Sequence, residues 1–431
     1  MKFCAVTLGC KVNQFETHAI ESILNSRGHT RADAGQGCDI CIINTCAVTA
    51  ESVRKSRQAV RRIKRLEPTA LIVVSGCLSQ IQPEKTAQLG ADIVAGSGNR
   101  QGLADEIERL FRGKKWECQT IIDDPFLRDV FEELTPGTAA GRTRSMLKIQ
   151  DGCDNFCTYC VVPYARGRSR SLPVSRAVLH AKRLADEGFR EIIITGIEIC
   201  SYGKDLRDAT TLTGALREIG KAAPMARIRL GSLDPAAITE EFCLELSATP
   251  NLCGHFHLSL QSGCDGTLRR MGRNYVAGDA LAAISRLREL FPDCGITADL
   301  IVGFPGETDA EFEETMGLII TAAFSDMHIF PFSPRPGTPA AVMKDQVEKS
   351  ARRERARIAA TAAAEMARDF RLSQVGKSVE VLFERKRGGY SVGHSGNYLE
   401  VAVKNGVESG GVHTVRITDA PDKLVLGEIV C

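Results

Sequence analysis

Apolar strand-like segments alternate with helix-like segments over most of the chain, and this alternation constrains the fold more than any other feature. Strands that are joined by helices run parallel, because only a crossover connection brings the chain back to the start of the next strand. In residues 1–112 the predicted strands are Lys2–Thr7, Ile40–Asn44 and Leu71–Ser75, and the predicted helices are Glu16–Arg27, Glu51–Leu66 and Gly102–Phe111. This pattern predicts an α/β domain with a doubly wound parallel sheet. Residues 113–144, with charge, Pro and Gly, are predicted to be a connector.

The alternation resumes in residues 145–371. Six candidate strands occur there, at Met146–Gln150, Glu191–Thr195, Arg227–Gly231, His255–Leu260, Thr297–Val302 and Asp326–Pro331. A complete eight-stranded barrel needs about 250 residues, so six strand–helix units in a shorter segment predict a partial (βα)6 barrel. A basic, alanine-rich helix is predicted at residues 344–371.

Residues 372–431 have a different pattern, in which short strands are separated by glycine. The predicted strands are Ser378–Glu384, Tyr398–Lys404, Thr414–Thr418 and Val425–Val430. Short strands with glycine turns predict a small antiparallel β-barrel at the C-terminus.

The composition is that of a globular protein. Of 431 residues, 43% are hydrophobic and 25% are charged, and the net charge is only +2, so affinity for nucleic acid would require local basic patches. No segment reaches the roughly 18 consecutive apolar residues of a membrane span, and the N-terminal residues lack the pattern of a signal peptide. We therefore expect a cytoplasmic protein that does not enter a membrane.

Three closely spaced cysteines, Cys153, Cys157 and Cys160, follow the first strand of the central region in a C-x3-C-x2-C pattern. Thiolates are the usual ligands of iron–sulfur clusters, and a [4Fe–4S] cluster with only three of them keeps one iron open for chemistry. A zinc site and chance clustering are the alternatives. The spacing resembles the radical S-adenosylmethionine (SAM) superfamily, which implies that the open iron binds SAM and that these cysteines are the catalytic ligands.

The carboxyl ends of the barrel strands are where a parallel sheet is expected to bind SAM. Polar and glycine residues at those ends make Gly196, Glu198, Ser232 and Gln261 candidate SAM contacts. The segment around Gly196 resembles the glycine-rich segment that contacts the SAM amine in the superfamily, with Glu198 as its acidic residue. Ordinary turn glycines would produce the same short pattern.

A second set of cysteines, Cys10, Cys46 and Cys77, follows three predicted strands of the first domain. Parallel strands end at one edge of a sheet, so these thiols are expected to converge, with Gly9 and Gly76 permitting close backbone approach. They form either a second three-cysteine cluster site or a group of buried structural cysteines. The other ten cysteines, including the C-x-x-C pair at 38 and 41, are interpreted as small buried hydrophobic residues: Cys4, Cys38, Cys41, Cys118, Cys200, Cys243, Cys253, Cys264, Cys294 and Cys431.

The segments TLGCKVNQFE, NTCAVT, SGC and GCDNFCTYCVVPYARGRSRS resemble the methylthiotransferases, and the resemblance covers the whole chain. It implies an N-terminal methylthiotransferase domain, a radical SAM domain and a C-terminal TRAM domain. It also implies two [4Fe–4S] clusters, an auxiliary cluster on the three first-domain cysteines and a SAM-cleaving cluster on the central triad.

The N-terminal box TLGCKVNQFE is similar to that of the subgroup acting on N6-threonylcarbamoyladenosine at position 37 of tRNA, 3′ of the anticodon. The isopentenyladenosine subgroup more often has YGCQMN, and the ribosomal-protein subgroup SLGCPKN. The resemblance implies that one SAM methylates a sulfide on the auxiliary cluster, and that a radical made from a second SAM attacks C2 of the adenine. The implied partners are tRNA, an electron donor such as flavodoxin or ferredoxin, and a sulfur source.

Basic residues concentrate in places that suit RNA binding. Helix Val53–Leu66 carries Arg54, Lys55, Arg57, Arg61, Arg62, Lys64 and Arg65, although charge runs are also common on solvated surfaces. The C-terminal barrel carries Arg385, Lys386 and Arg387 at a predicted turn, with Tyr390 and Tyr398 as candidate stacking aromatics. Arg166, Arg168 and Arg170 are candidate partners of a threonylcarbamoyl carboxylate, with a structural role or a phosphate contact as the alternatives for each. Arg335 is a candidate for the mouth of the substrate site, although the Pro–Gly segment beside it would also suit an ordinary loop.

Two other functions stay open at this stage. Within the enzymes, the alternative is methylthiolation of isopentenyladenosine in tRNA or of a ribosomal-protein side chain. Outside the enzymes, the alternative is a non-catalytic iron–sulfur protein that binds RNA or transfers electrons. A fully ligated cluster would suit that last function better than the open triad does.

Overall fold

The computed structural model describes residues 1–113, 117–137, 143–404 and 406–430. Its first part is a six-stranded sheet, parallel throughout, in the order β2-β1-β3-β4-β5-β6. The elements of this part are β1 (Lys2–Thr7), α1 (Lys11–Ser26), β2 (Thr30–Arg31), β3 (Ile40–Thr45), α2 (Ala50–Leu66), β4 (Leu71–Gly76), α3 (Cys77–Ile81), α4 (Pro83–Ala87), β5 (Ile93–Ala95), α5 (Arg100–Gly113) and β6 (Gln119–Ile121).

Helices cover both faces of this sheet, as predicted for a doubly wound fold. Strands β3 and β4 are buried at every residue, which explains their continuous apolar sequences. Ile40 and Ile42 pack with α1 and α5 on one face. Ile43 packs with Val60 and Ile63 of α2 on the other. Neighbours β1 and β3 have their helices on opposite faces, and such a switch point opens a crevice at the strand ends.

Helix α1 begins at Lys11, directly after Cys10, and not at Glu16 as the sequence suggested. The polar segment before Glu16 looked like a loop, but Val12, Asn13 and Phe15 are buried against the rest of the protein. Strand β6 comes from the segment expected to be a connector and pairs with β5, so the first sheet reaches into that segment.

The central part is a partial barrel of six strand positions, as predicted. Its strands form two parallel sheets, β11-β10-β7 and β12-β13-β14-β15. The chain passes from one sheet to the other at Gly231. The elements are β7 (Arg144–Lys148), β8 (Gln150–Asp151), α6 (Val162–Arg166), β9 (Arg170–Ser171), α7 (Val174–Asp186), β10 (Glu191–Thr195), α8 (Leu212–Ala222), β11 (Arg227–Leu230), β12 (Ser232–Leu233), α9 (Glu240–Ser247), β13 (His255–Gln261), α10 (Asp265–Met271), α11 (Ala277–Leu290), β14 (Gly295–Val302), α12 (Asp309–Ala322), β15 (Asp326–Pro331), α13 (Pro339–Val342) and α14 (Lys349–Ser373).

The C-terminal part is a closed five-stranded barrel in the order β16-β17-β18-β20-β19, in agreement with the expected TRAM domain. Its strands are β16 (Ser378–Arg387), β17 (Tyr390–Ser395), β18 (Glu400–Val403), β19 (Val412–Asp419) and β20 (Val425–Ile429). All pairs are antiparallel except β18 with β20. The sequence did not predict β17, because its Gly and Ser residues resemble a loop.

The C-terminal barrel lies against the amino ends of the central strands. Arg227 donates a hydrogen bond to the carbonyl of His394 at 2.8 Å, and Arg229 donates to the carbonyls of Ser395 and Gly396 at 3.0 Å each. The opposite, carboxyl ends of the central strands are therefore the ends left to face the first domain. None of the described helices is long and apolar enough to cross a membrane.

Candidate active site between two cysteine triads

The loop of the central triad is held by short backbone contacts. Cys153 N–H donates to the carbonyl of Gly167 at 3.0 Å, and Cys160 N–H donates to the carbonyl of Cys157 at 2.9 Å. Two donors point at the sulfurs themselves, because Val162 N–H lies 3.4 Å from Cys160 Sγ and a guanidinium nitrogen of Arg273 lies 3.4 Å from Cys157 Sγ. Such donors are the usual second layer of contacts around a metal-bound thiolate.

The thiols of this triad are desolvated and close enough to interact. Burial raises the pKa of Cys153 and of Cys160 to about 12 in each case, and the neighbouring cysteines add to both shifts. Free thiols in this environment are neutral near pH 7. A bound cation is what would make them thiolates, as expected of a site whose ligands lose their protons on metal binding.

The first-domain triad lies at the carboxyl ends of three adjacent strands. Cys10 follows β1, Cys46 follows β3 and Cys77 follows β4. Burial raises the pKa of Cys77 to about 11; Arg166 opposes this shift, and Cys46 and Cys10 add to it, so the three thiols share one environment.

Two glycines allow these loops to approach one another, as predicted. Gly9 has φ +103°, and a Cβ built on it would lie 2.8 Å from Cys46 Cβ. Gly76 has φ +101°, and its Cβ would lie 2.6 Å from the carbonyl oxygen of Thr45. Both positions require glycine, because a side chain there would be strained and would collide with the neighbouring loop.

Both triads fit an iron–sulfur cluster better than a single zinc ion. Zinc–sulfur bonds of 2.3 Å place the sulfurs of a tetrahedral site about 3.8 Å apart. Within the described part of the chain, the one group of three potential ligands whose atoms all lie within 4.8 Å of each other is His257, Asp299 and His328, and it contains no cysteine. The sulfurs of each cysteine triad are therefore spaced more widely than those of a single tetrahedral zinc site.

A buried ionic network joins the two triads, and the sequence had not indicated it. Glu16, on the helix that begins after Cys10, accepts hydrogen bonds from Arg166 at 2.7 Å, Lys148 at 3.0 Å and Arg100 at 2.8 Å. Asp151, two residues before Cys153, accepts from Lys148 at 2.7 Å and from Arg166 at 3.1 Å. The side chains of these five residues are at most 6% exposed. The network fixes the two loops relative to one another.

The structure contradicts a substrate role for two of the three arginines proposed as carboxylate partners. Arg166 is fully buried and also donates to the side chain of Asn13 at 2.9 Å. Arg170 is buried and donates to the carbonyls of Arg168 and Arg166. Only Arg168 has an exposed guanidinium, 3.3 Å from Asp154. The three arginines look alike in the sequence, but two of them donate hydrogen bonds inside the protein.

The glycine-rich segment after β10 is attached to the central cysteine loop. The side-chain oxygen of Gln150 accepts hydrogen bonds from the backbone N–H groups of Ile197 and Glu198, at 2.9 and 2.8 Å. A Cβ on Gly196 would lie 2.8 Å from the same oxygen, so this glycine is needed for the close contact. Burial, together with the Asp234 carboxylate, raises the pKa of Glu198 to about 7.

Ser232 and Gln261 lie at the neighbouring strand ends. Ser232 is exposed at the start of β12. Gln261 ends β13 with φ +66°, a conformation that is strained for a residue other than glycine and that is common at functional sites. Arg273 connects this region to the triad, because it donates to Asp234 at 2.9 Å as well as to Cys157.

A cavity of about 200 Å³ lies where the two cysteine loops meet. The loop after Cys46 and the loop around Cys160 form two of its walls, and strands β13 to β15 form the rest. Its lining residues are Val48, Thr49, Tyr159, Cys160, Val161, Val162, Gln261, Asp299, Ile301, Phe330, Pro331, Phe332 and Ser333. The cavity is therefore shared between the loops that carry the two cysteine triads.

A basic groove runs beside this cavity along α2, the helix predicted to bind RNA. The groove has a volume of about 940 Å³ and includes Arg54, Arg57, Arg61, Lys85 and Arg335 among its lining residues. Arg54 pairs with Glu51 on the same helix. In the part of the chain that is described, Arg57 and Arg61 have no carboxylate within 4.0 Å, so both remain available to a phosphate.

Most of the cysteines outside the two triads are buried, as predicted: Cys4, Cys38, Cys41, Cys243, Cys253, Cys264 and Cys294. Cys118 is exposed and Cys200 is half-buried. Cys431 lies outside the described residues. The sulfurs of Cys4 and Cys41 lie 3.1 Å apart across β1 and β3, inside the hydrophobic core and not at a surface.

Comparisons with known proteins agree with this site. The model of the Radical SAM superfamily matches residues 147–319, and that of Uncharacterized protein family UPF0004 matches residues 2–96. Among solved structures, the radical SAM methyltransferase TsrM from Kitasatospora setae, with cobalamin and a [4Fe–4S] cluster bound, superposes with a TM-score of 0.56. That match has 15% identity and covers 79% of this chain and 77% of the other, so it concerns the fold alone.

Curated relatives span nearly the whole chain. The threonylcarbamoyladenosine tRNA methylthiotransferase MtaB of Bacillus subtilis is 36% identical and covers 92% of this chain and 89% of its own. The protein of the same name from Thermotoga maritima is 37% identical and covers 97% and 95%. The tRNA-2-methylthio-N(6)-dimethylallyladenosine synthase of Clostridium novyi is 31% identical and covers 100% and 96%. The superfamily match implies SAM and a [4Fe–4S] cluster as cofactors, and with these relatives it shows that the chain belongs to the methylthiotransferase family of radical SAM enzymes.

Proposed function

We propose that this enzyme transfers a methylthio group to C2 of N6-threonylcarbamoyladenosine at position 37 of tRNA. The observation that carries the proposal is the single cavity bordered by both cysteine loops. An adenine held there would lie between the two places where sulfur and radical chemistry are expected. The relatives named for threonylcarbamoyladenosine are 36% and 37% identical, against 31% for the Clostridium novyi protein named for dimethylallyladenosine, which supports the first substrate.

In this proposal the chain holds two [4Fe–4S] clusters. The auxiliary cluster is bound by Cys10, Cys46 and Cys77, and the SAM-binding cluster by Cys153, Cys157 and Cys160. When bound, these groups supply a transferable sulfur and radical chemistry, which amino-acid side chains do not provide. Gly196, Glu198, Ser232 and Gln261 are the proposed SAM contacts, with Glu198 as the partner of the SAM ammonium.

The chain itself orients the base and excludes water. Tyr159, Ile301, Phe330 and Phe332 line the cavity, and aromatic and aliphatic walls suit the flat face of a base. Thr49 lines the same cavity and caps the amino end of α2. The basic groove along α2 therefore begins at the rim of the cavity in which we propose that the base binds.

The C-terminal barrel contributes basic residues to RNA binding in this proposal. Arg385, Lys386 and Arg387 are exposed next to the turn at Gly388. Tyr398 is a poor stacking partner for RNA, because its ring stacks on His255 at 4.6 Å and has Arg229 over it at 4.8 Å.

Several further parts of the proposal rest on the resemblance. The partners besides tRNA would be an electron donor such as flavodoxin or ferredoxin and a source of sulfur. The proposed functional domains are residues 1–112 together with β6 for the auxiliary cluster, the rest of residues 113–144 as a connector, 145–371 for SAM and 372–431 for RNA.

Iron content and product analysis test the proposal together. Replacing Cys153, Cys157 and Cys160 by Ala should remove about half of an expected total of roughly eight irons per chain, and all SAM cleavage. Replacing Cys10, Cys46 and Cys77 should remove the other half and the methylthio product, while SAM cleavage remains measurable. Mass spectrometry of nucleosides from reconstituted reactions identifies the product. Full iron content in the second variant, or methylthio product on isopentenyladenosine alone, would contradict it.

A further inference from the structure

One polar cluster at a wall of the cavity is separate from the cysteine triads and from the proposed SAM contacts, and Asp299 is its member that lines the cavity. His257, Asp299 and His328 lie on the adjacent strands β13, β14 and β15. One carboxylate oxygen of Asp299 lies 3.1 Å from Nδ1 of His328 and 3.3 Å from Nε2 of His257. The hydroxyl of Thr297 lies 2.8 Å from the other ring nitrogen of His257, which fixes the ring with Nε2 towards Asp299.

This cluster is open to the cavity and not part of the core. Asp299 lines the cavity wall, and the His328 side chain is 64% exposed. Along β14, Asp299 precedes Ile301 by two residues, so it lies about 7 Å deeper in the barrel than the apolar rim. A base at the rim would direct any substituent of suitable length towards the cluster.

A fourth charge approaches from the first domain. Lys11 is the first residue of α1, next to Cys10, and it is half-buried. Burial, together with Arg229 and Arg144, lowers the pKa of Lys11, whereas Glu191 and, more weakly, Asp299 raise it. The ammonium group acts in turn on His328. The site therefore combines a cationic amine, two imidazoles and one carboxylate. Burial opposes ionisation of Asp299, but hydrogen bonds from the two histidines lower its pKa to about 2, so the carboxylate is charged at neutral pH.

We propose that Lys11, His257, Asp299 and His328 form the subsite that recognises the polar N6 substituent of the substrate base, a carboxylate-bearing threonylcarbamoyl group. This inference rests on the function proposed above and extends it to a specificity site. Lys11 and His328 pair with the carboxylate of the substituent, and Asp299 accepts hydrogen bonds from its N–H or hydroxyl groups. An apolar isopentenyl group would leave these charges without partners, and sites of this kind reject such analogues strongly.

Two histidines and one carboxylate are also a common set of metal ligands. Lys11 makes a divalent cation less favourable here, because like charges repel strongly in a partly desolvated site. Binding of a metal ion by these residues is therefore an outcome that the experiment must be able to detect.

The experiment compares the wild-type enzyme with Lys11→Gln and His328→Ala, using tRNA with threonylcarbamoyladenosine, tRNA with isopentenyladenosine and tRNA with unmodified adenosine at position 37. Loss of one charged hydrogen bond corresponds to roughly 10- to 150-fold. The variants should lose about that factor in kcat/KM on the threonylcarbamoyl substrate. They should bind the unmodified tRNA as the wild type does. Lys221→Gln, an exposed helix lysine paired with Glu218, is the matched control.

Three results would overturn the subsite. The first is an unchanged preference for threonylcarbamoyl over unmodified tRNA in both variants. The second is an equal loss of affinity for all three tRNAs, which would indicate a general RNA contact. The third is one equivalent of a non-iron metal in the wild type that disappears in Asp299→Asn. A wild-type enzyme that converts no threonylcarbamoyl substrate would instead refute the proposed function, so the two failures are distinguishable.

Discussion

Replacing Glu16 by Gln tests whether the buried ionic network holds the two cysteine loops together. The substitution keeps the shape of the side chain and removes its charge. Glu16 is fully buried and accepts hydrogen bonds from Arg166, Lys148 and Arg100. After the substitution, Lys148 and Arg166 keep Asp151 as an acidic partner, whereas Arg100 keeps its hydrogen bond to the carbonyl of Gly96. The amide N–H₂ of the new side chain also competes with the three cations as a donor.

The expected decrease in the free energy of unfolding follows from the burial of these groups. Breaking a buried ion pair by removal of one partner costs about 3–5 kcal/mol, because the other charge stays desolvated. Three cations lose their partner here, so the upper part of that range is expected. The matched control is Glu51→Gln, whose pair with Arg54 is more than half exposed and is therefore screened by water.

Urea denaturation of the purified full chain measures the difference. With a slope of about 3 kcal/mol per molar urea, the midpoint of Glu16→Gln should fall by roughly 1 to 2 M, and that of the control by much less. Burial alone would raise the pKa of Glu16, but Arg166, Lys148 and Arg100 outweigh it and hold that pKa well below the ordinary value. The stabilisation is therefore present above about pH 4.5 and lost as the pH falls, so the two proteins should converge on acidification. A Glu16→Gln midpoint within 0.2 M of the wild type at pH 7 would refute the reasoning.

Three further predictions concern the cofactor and RNA sites. Burial and Asp234 raise the pKa of Glu198 to about 7, so the affinity for SAM should fall below pH 7, by up to about tenfold per pH unit. Titration calorimetry should show that Glu198→Gln loses this pH dependence. A wild-type affinity that does not change with pH would contradict a Glu198–ammonium pair. Gly76→Ala should lose about half of the iron, since its Cβ would meet the Thr45 carbonyl at 2.6 Å, whereas full iron content would mean that the loop can shift. Replacing Arg57 and Arg61 by Gln should lower the slope of log tRNA affinity against log salt concentration by about two, one for each lost phosphate contact. Arg357→Gln on exposed α14 is the control, and an unchanged slope in the double variant would place the phosphates elsewhere.

Long apolar segments were the elements that the sequence predicted well. β1, β10 and β15 have the predicted bounds, because each is a run of apolar residues bounded by polar or turn residues. Strands β5 and β6 were missed, because a strand of three residues is too short to show the alternation of apolar and polar residues. The beginning of α1 was missed because its polar residues are buried by tertiary contacts that no local pattern encodes.

The residues of the candidate site also differ in whether they could be predicted from the sequence. The cysteines could be assigned from spacing and from their places after strands, because iron–sulfur chemistry requires that residue type. The ionic network could not, since Glu16 and Asp151 are ordinary carboxylates separated by many residues and meet only in the folded chain. The same holds for His257, Asp299 and His328, whose single-residue positions on three strands carry no motif.

The first domain and the central barrel share a buried interface, and this interface bears on how substrates reach the cavity. On one side of the interface lies the ionic network around Arg166; on the other lies a buried apolar cluster that includes Cys77 and Leu78 from α3 and Val161 and Ala165 from the loop and helix after Cys160. Separating the two parts would expose that apolar cluster to water, which is unfavourable, although the separated charges would regain hydration. We therefore expect SAM and the tRNA base to enter through the exposed rim of the cavity beside Val48 and Phe330, without separation of the two parts.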